Sequence, residues 1–374
     1  MGYVLISFLS WLILRFLVLR RLPCGRPART VLSCLFFLPI LYYAYLQASC
    51  FIVLPESSFG TAILMGAWCG TVLIAAPPAS AGVLCLMRFG RKKSMRRVGA
   101  GACLIFSLFF SSVLVLCGLR EGLSVPSVQE VSVNLPAGCD ALDGIRMAVI
   151  SDLHLGCATP PGWLEETLRR IKEARADIIL LDGDLSDGRP EDRRSDLARL
   201  GTLEAPFGVW AVPGNHEYYV DYAGIMAALP DSVHVLANSH ARLRTSLGTF
   251  VLAGVTDRKA RARGLPGPDI EKALSGLSGD GAIGPVLLMS HRPAGWSRNA
   301  ARGVVLQICG HTHGGQFIWN RLFLRLIGRR YLHGLFERNS SLLWVGSGAS
   351  QWFGFPLRVG VPPEIAVLNL HAGS

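Results

Sequence analysis

Residues 145–154 read IRMAVISDLH, a largely apolar run over 145–150 that gives way to Ser151, Asp152 and His154. A short apolar run bounded by polar residues is the pattern of a buried strand. It recurs at 178–181, which leads into GDLSD (183–187), and at 209–212, which leads into Gly214, Asn215, His216 and Glu217. Helical patterns at 163–175 and 191–200 lie between these runs. Strand and helix in alternation predict βαβ units and an α/β fold. Two further runs follow, 286–289 ahead of His291 and 304–308 ahead of GHTHGG (310–315). Every polar cluster thus falls at the carboxyl end of a strand, where open α/β sheets bind ligands.

Carboxylates, imidazoles and an amide oxygen together suit a borderline-hard divalent ion such as Mn²⁺, Fe²⁺ or Zn²⁺. There are more donors than one ion takes, so two ions are expected. A lone histidine or aspartate at a strand end is more often a cap or a turn residue. Five clusters in order, each after a strand pattern, favour metal binding. Strand alternation would turn Asp152 and His154 to one side, and likewise His311 and His313. Gly183, Gly214, Gly310, Gly314 and Gly315 suit either plain turns or a backbone bending around an ion.

The series SDLH, GDLSD, GNHE, SH and GHTHGG resembles the five signature blocks of the calcineurin-like metallophosphoesterases, in the same order and over residues 145–370. Gln316 after the glycines, Pro356-Leu357-Arg358 and Pro362-Pro363-Glu364-Ile365 are similar to the membrane-anchored branch of that family. The resemblance implies a four-layer α/β/β/α sandwich with a dimetal site at one edge of two central sheets. It implies Asp152, His154 and His313 on one ion, Asn215, His291 and His311 on the other, and Asp184 bridging them. A hydroxide shared by the two cations would attack phosphorus while the cations offset the growing negative charge. His216 resembles the family's proton donor to the leaving group, with Glu217 expected to orient it. Asp187 is expected either to hold a ligand or to cap a helix. Arg292 and Arg358 read as phosphate-binding residues or as surface salt bridges, and Asp257 as a turn residue.

The N-terminal third is different in kind. The 374 residues are 51% hydrophobic and 17% charged, where soluble domains are nearer a quarter charged. The formal charge of +11 is confined to one region: residues 1–120 hold 12 Lys and Arg against Glu56, whereas 121–374 hold 25 of each sign. A neutral globular part argues against a nucleic-acid partner. Apolar stretches at 2–19, 30–54, 60–87 and 98–119 predict a bundle of about four membrane helices over 1–120. A tether and edge strand at 121–144 and the dimetal phosphoesterase domain at 145–374 are expected to follow. The first stretch is shorter and carries Arg15, and no small-residue cleavage site follows it, so a retained helix is expected. Pro77 and Pro78 predict a kink in the third stretch, and Gly66 with Gly70 close packing between helices. Arginine-rich loops at 20–29 and 88–97 predict the cytoplasmic side, which puts the chain after residue 120 outside the cytoplasm. Seven of the ten cysteines lie in or beside the apolar stretches and no CxxC occurs, so all are read as structural.

Together these features predict a multi-pass membrane protein whose extracytoplasmic domain hydrolyses a phosphate ester or pyrophosphate. The anchor makes a lipid-linked or cell-envelope substrate an expectation. The stretch 319–336, apolar residues among Arg321, Arg325, Arg329 and Arg330, reads as a bilayer-surface element or as a packed element with a solvated basic face. The competing class is a transporter or receptor with a catalytically minor metal domain. Against it, the apolar stretches contain no acid and the ligand set is complete.

Overall fold

The computed structural model describes residues 2–49, 56–90, 92–277 and 284–373. It divides into two compact units, Met1–Glu121 with Phe355–Leu357, and Gly122–Gly354 with Arg358–Ser374.

The first unit is helical. Helix α1 (Gly2–Ile13) continues through a π-helical turn at Leu14–Val18 and a 3-10 turn at Leu19–Arg21. It is followed by α2 (Arg26–Ser49), α3 (Phe59–Phe89) and α4 (Lys93–Gly122). Three spans, Arg26–Leu46, Phe59–Phe89 and Lys93–Gly122, are long and apolar enough to cross a bilayer. The α1 stretch is not among them, because its regular helix ends at Ile13. The second expected stretch begins earlier than read, at Arg26, and its positions 50–54 lie outside the described residues. Ile105, Phe106 and Phe109 of α4 are each 70% exposed, an apolar face that suits lipid rather than water. Helix α3 runs as one element through Pro77 and Pro78. Gly66 and Gly70 admit the side chains of Pro356 and Leu357 of the same unit, so the close approach expected of a helix is made largely by an extended segment.

The second unit is built on two sheets. Strands β1 (Ser127–Ala137), β2 (Arg146–Ile150), β3 (Ile178–Asp182), β4 (Val209–Val212), β5 (Val233–Val235) and β12 (Glu364–Gly373) form one, in the order β1-β12-β2-β3-β4-β5. Its strands β2 to β5 are parallel, and β12 is inserted antiparallel to β2 and parallel to β1. Strands β6 (Ser239–Thr245), β7 (Gly248–Gly254), β8 (Val286–Met289), β9 (Val304–Cys309), β10 (Gly334–Arg338) and β11 (Ser341–Val345) form the other, in the order β10-β11-β9-β8-β7-β6. This sheet is parallel from β7 to β11 and antiparallel at both edges.

Alternation along the strands explains the layers. Met147, Val149, Ile178 and Leu180 of the first sheet pack against Phe250, Leu252, Leu287 and Leu306 of the second. Their neighbours Ala148, Ile150, Ile179 and Leu181 face outward onto Trp163, Leu164, Leu168 and Ile171 of α5 (Trp163–Glu173), with α6 (Pro190–Arg199) and α7 (Tyr222–Ala228) alongside. On the far side, Val251, Ala253 and Leu288 meet Ala273 of α8 (Ile270–Ala273), and Trp296 of α9 (Trp296–Ala300) covers Leu343 and Val345. Burial on both faces is why these strands read as continuous apolar runs rather than alternating ones. Helices, sheet, sheet, helices is the resulting order, and the carboxyl ends of β2, β3, β4, β8 and β9 gather at one rim.

Candidate metal centre

Each cluster sits where its strand stops, and the chain turns there by an unusual route. Asp152 (φ 55°), His154 (φ 42°), Asp184 (φ 50°), His311 (φ 67°) and His313 (φ 47°) all adopt left-handed backbone conformations. The expected period-2 alternation therefore does not apply: these residues lie beyond the strands, and left-handed turns converge their side chains instead. Such conformations cost about 1–3 kcal/mol each outside glycine and persist where the surroundings over-determine them. The surroundings here are tight. A Cβ on Gly214 would overlap the Asp184 carboxylate, and one on Gly310 the Asp152 carboxylate.

His154, His291 and His313 are arranged alike, with Nδ1 committed to the protein and Nε2 turned to the carboxylates. His291 Nδ1 lies 2.7 Å from the Asp182 carbonyl oxygen, His313 Nδ1 3.2 Å from the Ser350 carbonyl oxygen, and His154 Nδ1 3.1 Å from Asp187 Oδ1. Donation from Nδ1–H turns each Nε2 inward, so that a metal displacing its proton would find the nitrogen already placed as a ligand. His291 Nε2 is 3.1 Å from Asp184 Oδ2, His154 Nε2 is 3.7 Å from the same oxygen, and His313 Nε2 is 3.4 Å from Asp152 Oδ1. Ligand atoms of Asp152, His154 and His313 form one close group, and those of Asp184, His291 and His311 another. His154, Asp184 and His216 form a third.

Asp152, Asp184, His154, Asn215, His216, His291 and His313 are buried. Burial works against ionising Asp184, yet the neighbouring His291 and His216 hold it well below the usual carboxylate range. Burial likewise disfavours protonated His291, but Asp184 raises it well above an ordinary imidazole. His311 and His313 are pushed down, by burial first and then by the positive charges of His291 and His154 respectively. Two buried carboxylates ringed by imidazole nitrogens form a donor set that fits divalent cations.

A family model for the calcineurin-like phosphoesterase matches residues 145–315. An uncharacterized metallophosphoesterase of Helicobacter pylori (strain ATCC 700392 / 26695) is 34% identical over 257 residues, 68% of this chain and 66% of that protein. A transmembrane protein with metallophosphoesterase domain from Danio rerio is 28% identical over 302 residues, 76% of this chain and 68% of that one. The chain belongs to the calcineurin-like metallophosphoesterases. It spans about two thirds of the length of these relatives. Three of its helices are long and apolar enough to cross a bilayer, and the proteins it resembles include transmembrane ones.

Several residues of this metallophosphoesterase do something other than the sequence implies. The Glu217 carboxylate accepts from the amides of Gly214 (2.7 Å), Leu185 (2.7 Å) and Asp184 (3.1 Å), tying the GNHE turn to the GDLSD turn. Arg358 is fully buried and donates to the carbonyl oxygens of Ser347 (2.8 Å), Val361 (3.1 Å) and Ser350, so it supports the loop beneath His313 rather than forming a surface salt bridge. Arg189, not Asp187, stands at the N-cap of α6, and the Asp187 carboxylate faces His154 and His216. Arg292 is paired with the buried Asp257 and reaches Asn215 Oδ1 at 2.6 Å and His311 Nε2. Asp257 is thus more than a turn residue, though its carboxylate also accepts from the Lys259 amide as one would.

Two contributors escaped sequence reading. Asp182 ends β3 as a fully buried carboxyl, pushed up by burial to about 8. The apolar run ends one residue before it, and an aspartate beside GDLSD gives no separate signal. The Tyr219 ring packs at a tilt against His216, 4.6 Å between ring centroids, and its hydroxyl accepts from Asn215 Nδ2 at 3.2 Å. Its position two residues beyond the strand-end block carries no pattern of its own.

Proposed function

We propose that this chain is a membrane-anchored phosphoesterase that binds two divalent cations and hydrolyses a phosphate ester or pyrophosphate outside the cytoplasm. The observation that carries the reading is the convergence of three Nε2 atoms, from His154, His291 and His313, on the carboxylates of Asp152 and Asp184, with each Nδ1 held elsewhere. Asp152, His154 and His313 would hold one ion, His291, His311 and Asn215 the other, and Asp184 both. When bound, the cations supply Lewis acidity, lowering the pKa of water and offsetting charge on the phosphoryl oxygens.

The chain's own groups do the remaining work. Asp187 Oδ1 accepts from His216 Nδ1, which orients the ring so that Nε2 can carry the proton given to the leaving oxygen. Arg292, fixed through Asp257, brings its positive guanidinium to the second group of ligands, where it can attract phosphoryl oxygens. The sheet cores and the Glu217 clamp keep the two turns from drifting apart.

A lipid-linked substrate is supported by helix α10 (Ile318–Leu326), which begins three residues after GHTHGG. Leu322 is 56%, Phe323 57% and Leu326 85% exposed, with Arg325 and Arg329 among them. That is the makeup of a helix lying at a bilayer surface. An extracytoplasmic catalytic unit is supported by the arginine-rich ends of α2, α3 and α4, since the chain leaves α4 at its other end.

The test is to purify the full chain in detergent, measure bound metal, and assay nitrophenyl phosphate mono- and diesters with Mn²⁺ against chelator. Two ions per chain with chelator-sensitive turnover support the reading. A chain that binds no metal, or turnover indifferent to chelator, overturns it.

A further inference from the structure

The helical unit holds basic residues that neither anchoring nor catalysis uses. Two open cavities lie at one end of the bundle. The first, of about 340 Å³, is lined by Arg15, Arg20, Arg26, Arg29, Thr30 and Ser33. The second, of about 280 Å³, shares Arg20 and adds Arg21, Lys93, Arg96 and Arg97. They collect the end of the α1 stretch, the start of α2, the end of α3 and the start of α4.

Among the described residues no carboxylate lines either cavity. The acids in residues 1–121 are Glu56, which precedes α3, and Glu121, at the end of α4, both at the opposite end of the bundle. The guanidinium contacts among the described residues are with neutral groups. Arg15 donates to Ser33 Oγ at 3.2 Å and stacks on Trp11, Arg20 stacks on Phe16, and Arg29 donates to the carbonyl oxygens of Cys24 and Arg20. So many like charges in two cavities that share Arg20 repel one another, and an anion among them would offset that repulsion.

A loop placed only to set topology would not need Arg15. It lies inside an apolar stretch, and the helix there is widened to a π-helical turn over Leu14–Val18. Charged residues at such depth are costly and mark functional positions by default, and single π-turns inside helices concentrate at functional sites. The π-turn and the Ser33 bond together aim Arg15 into the larger cavity.

We infer that these two cavities bind a phosphate headgroup, borne by an anionic lipid of the leaflet at the basic end. Guanidinium groups match phosphate oxygens with paired donors, and basic pockets between membrane helices take anionic headgroups. The surrounding apolar residues, Leu19 in one cavity and Val83, Leu86 and Met87 in the other, would lie along the acyl chains. The site is independent of the metal centre and holds whether or not the phosphoesterase reading does.

The experiment uses the full chain in detergent, incubated with phosphatidylglycerol or cardiolipin, with phosphatidylcholine, or with inorganic phosphate at equal concentration. Bound lipid is read by native mass spectrometry and the unfolding midpoint by thermal melting. The expected result is retention of the anionic lipids and a raised midpoint, with neither from phosphatidylcholine or phosphate. Replacing both Arg15→Gln and Arg20→Gln should lower anionic lipid retention by about 10-fold or more, with an unchanged lipid-free unfolding midpoint as the sign of intact folding. Equal retention of phosphatidylcholine overturns the proposal without any variant. A full midpoint shift from inorganic phosphate reassigns the cavities to a free anion, and undiminished lipid retention in the folded double variant removes these arginines from the site.

Discussion

His216 Nδ1 lies 2.5 Å from Asp187 Oδ1, the same oxygen that faces His154 Nδ1 at 3.1 Å. One carboxylate therefore orients a histidine of the metal cluster and the histidine beside it. Burial opposes its charge, but the two imidazoles hold Asp187 well below the usual carboxylate range. Asp187→Asn keeps the size and removes the charge, and turnover should fall about 10- to 100-fold, as for other partners standing behind a metal ligand. Steady-state kinetics with the metal saturated would show it. An unchanged kcat would reduce Asp187 to a loop residue.

His216→Ala separates proton donor from ligand. As donor, its loss should slow turnover by about 10² to 10⁴ while both metals stay bound. Alkyl phosphate esters should suffer most, and nitrophenyl esters, whose leaving group departs without a proton, least. The group formed with His154 and Asp184 makes the opposite result conceivable on geometry. If the variant loses metal, or slows both ester types alike, His216 is a ligand.

Asp184→Asn should reduce bound metal to one ion or none and abolish activity. Its Oδ2 is the oxygen that His154, His216 and His291 all face, at 3.7, 3.8 and 3.1 Å. A neutral amide there cannot hold two cations together. Metal analysis of the purified variant decides, and two retained ions with normal turnover would remove Asp184 from the centre.

Gly310→Ala should destabilise the catalytic unit by about 1–3 kcal/mol, the usual cost of overpacking, and weaken metal binding with it. The new methyl would meet Ser151 and the Asp152 carboxylate. Denaturant unfolding and metal titration should move together. Loss of neither would mean that the turn can shift without disturbing Asp152.

Sidedness is open to chemical labelling. A membrane-impermeant thiol reagent applied to intact cells should label Ser127→Cys, at the start of β1, above the background of the native chain. It should not label Ser94→Cys, on the arginine-rich start of α4. The reverse pattern would place the catalytic unit in the cytoplasm.

The strands, the five polar blocks and the spanning helices were legible in the sequence because each rests on local spacing. Apolar runs at 209–212 and 286–289 correspond to β4 and β8 without adjustment. What each site side chain touches was not legible, since the partners lie far along the chain. Arg358 serves carbonyl oxygens at 347 and 350, Glu217 clamps amides at 184 and 185, and Arg292 meets Asp257 across two strands. A guanidinium or carboxylate has the same appearance in sequence whether it meets substrate, solvent or a buried amide, and only burial assigns its partner. The left-handed turns at Asp152, His154, Asp184, His311 and His313 belong to the same class. Local preference disfavours them, and it is the closing of two sheets around one rim, with glycines at 214 and 310 leaving room for the carboxylates, that holds the backbone there. Sequence alone thus determined which donors the chain brings to its strand ends, and tertiary packing decided that His154, His291 and His313 turn Nε2 toward the carboxylates.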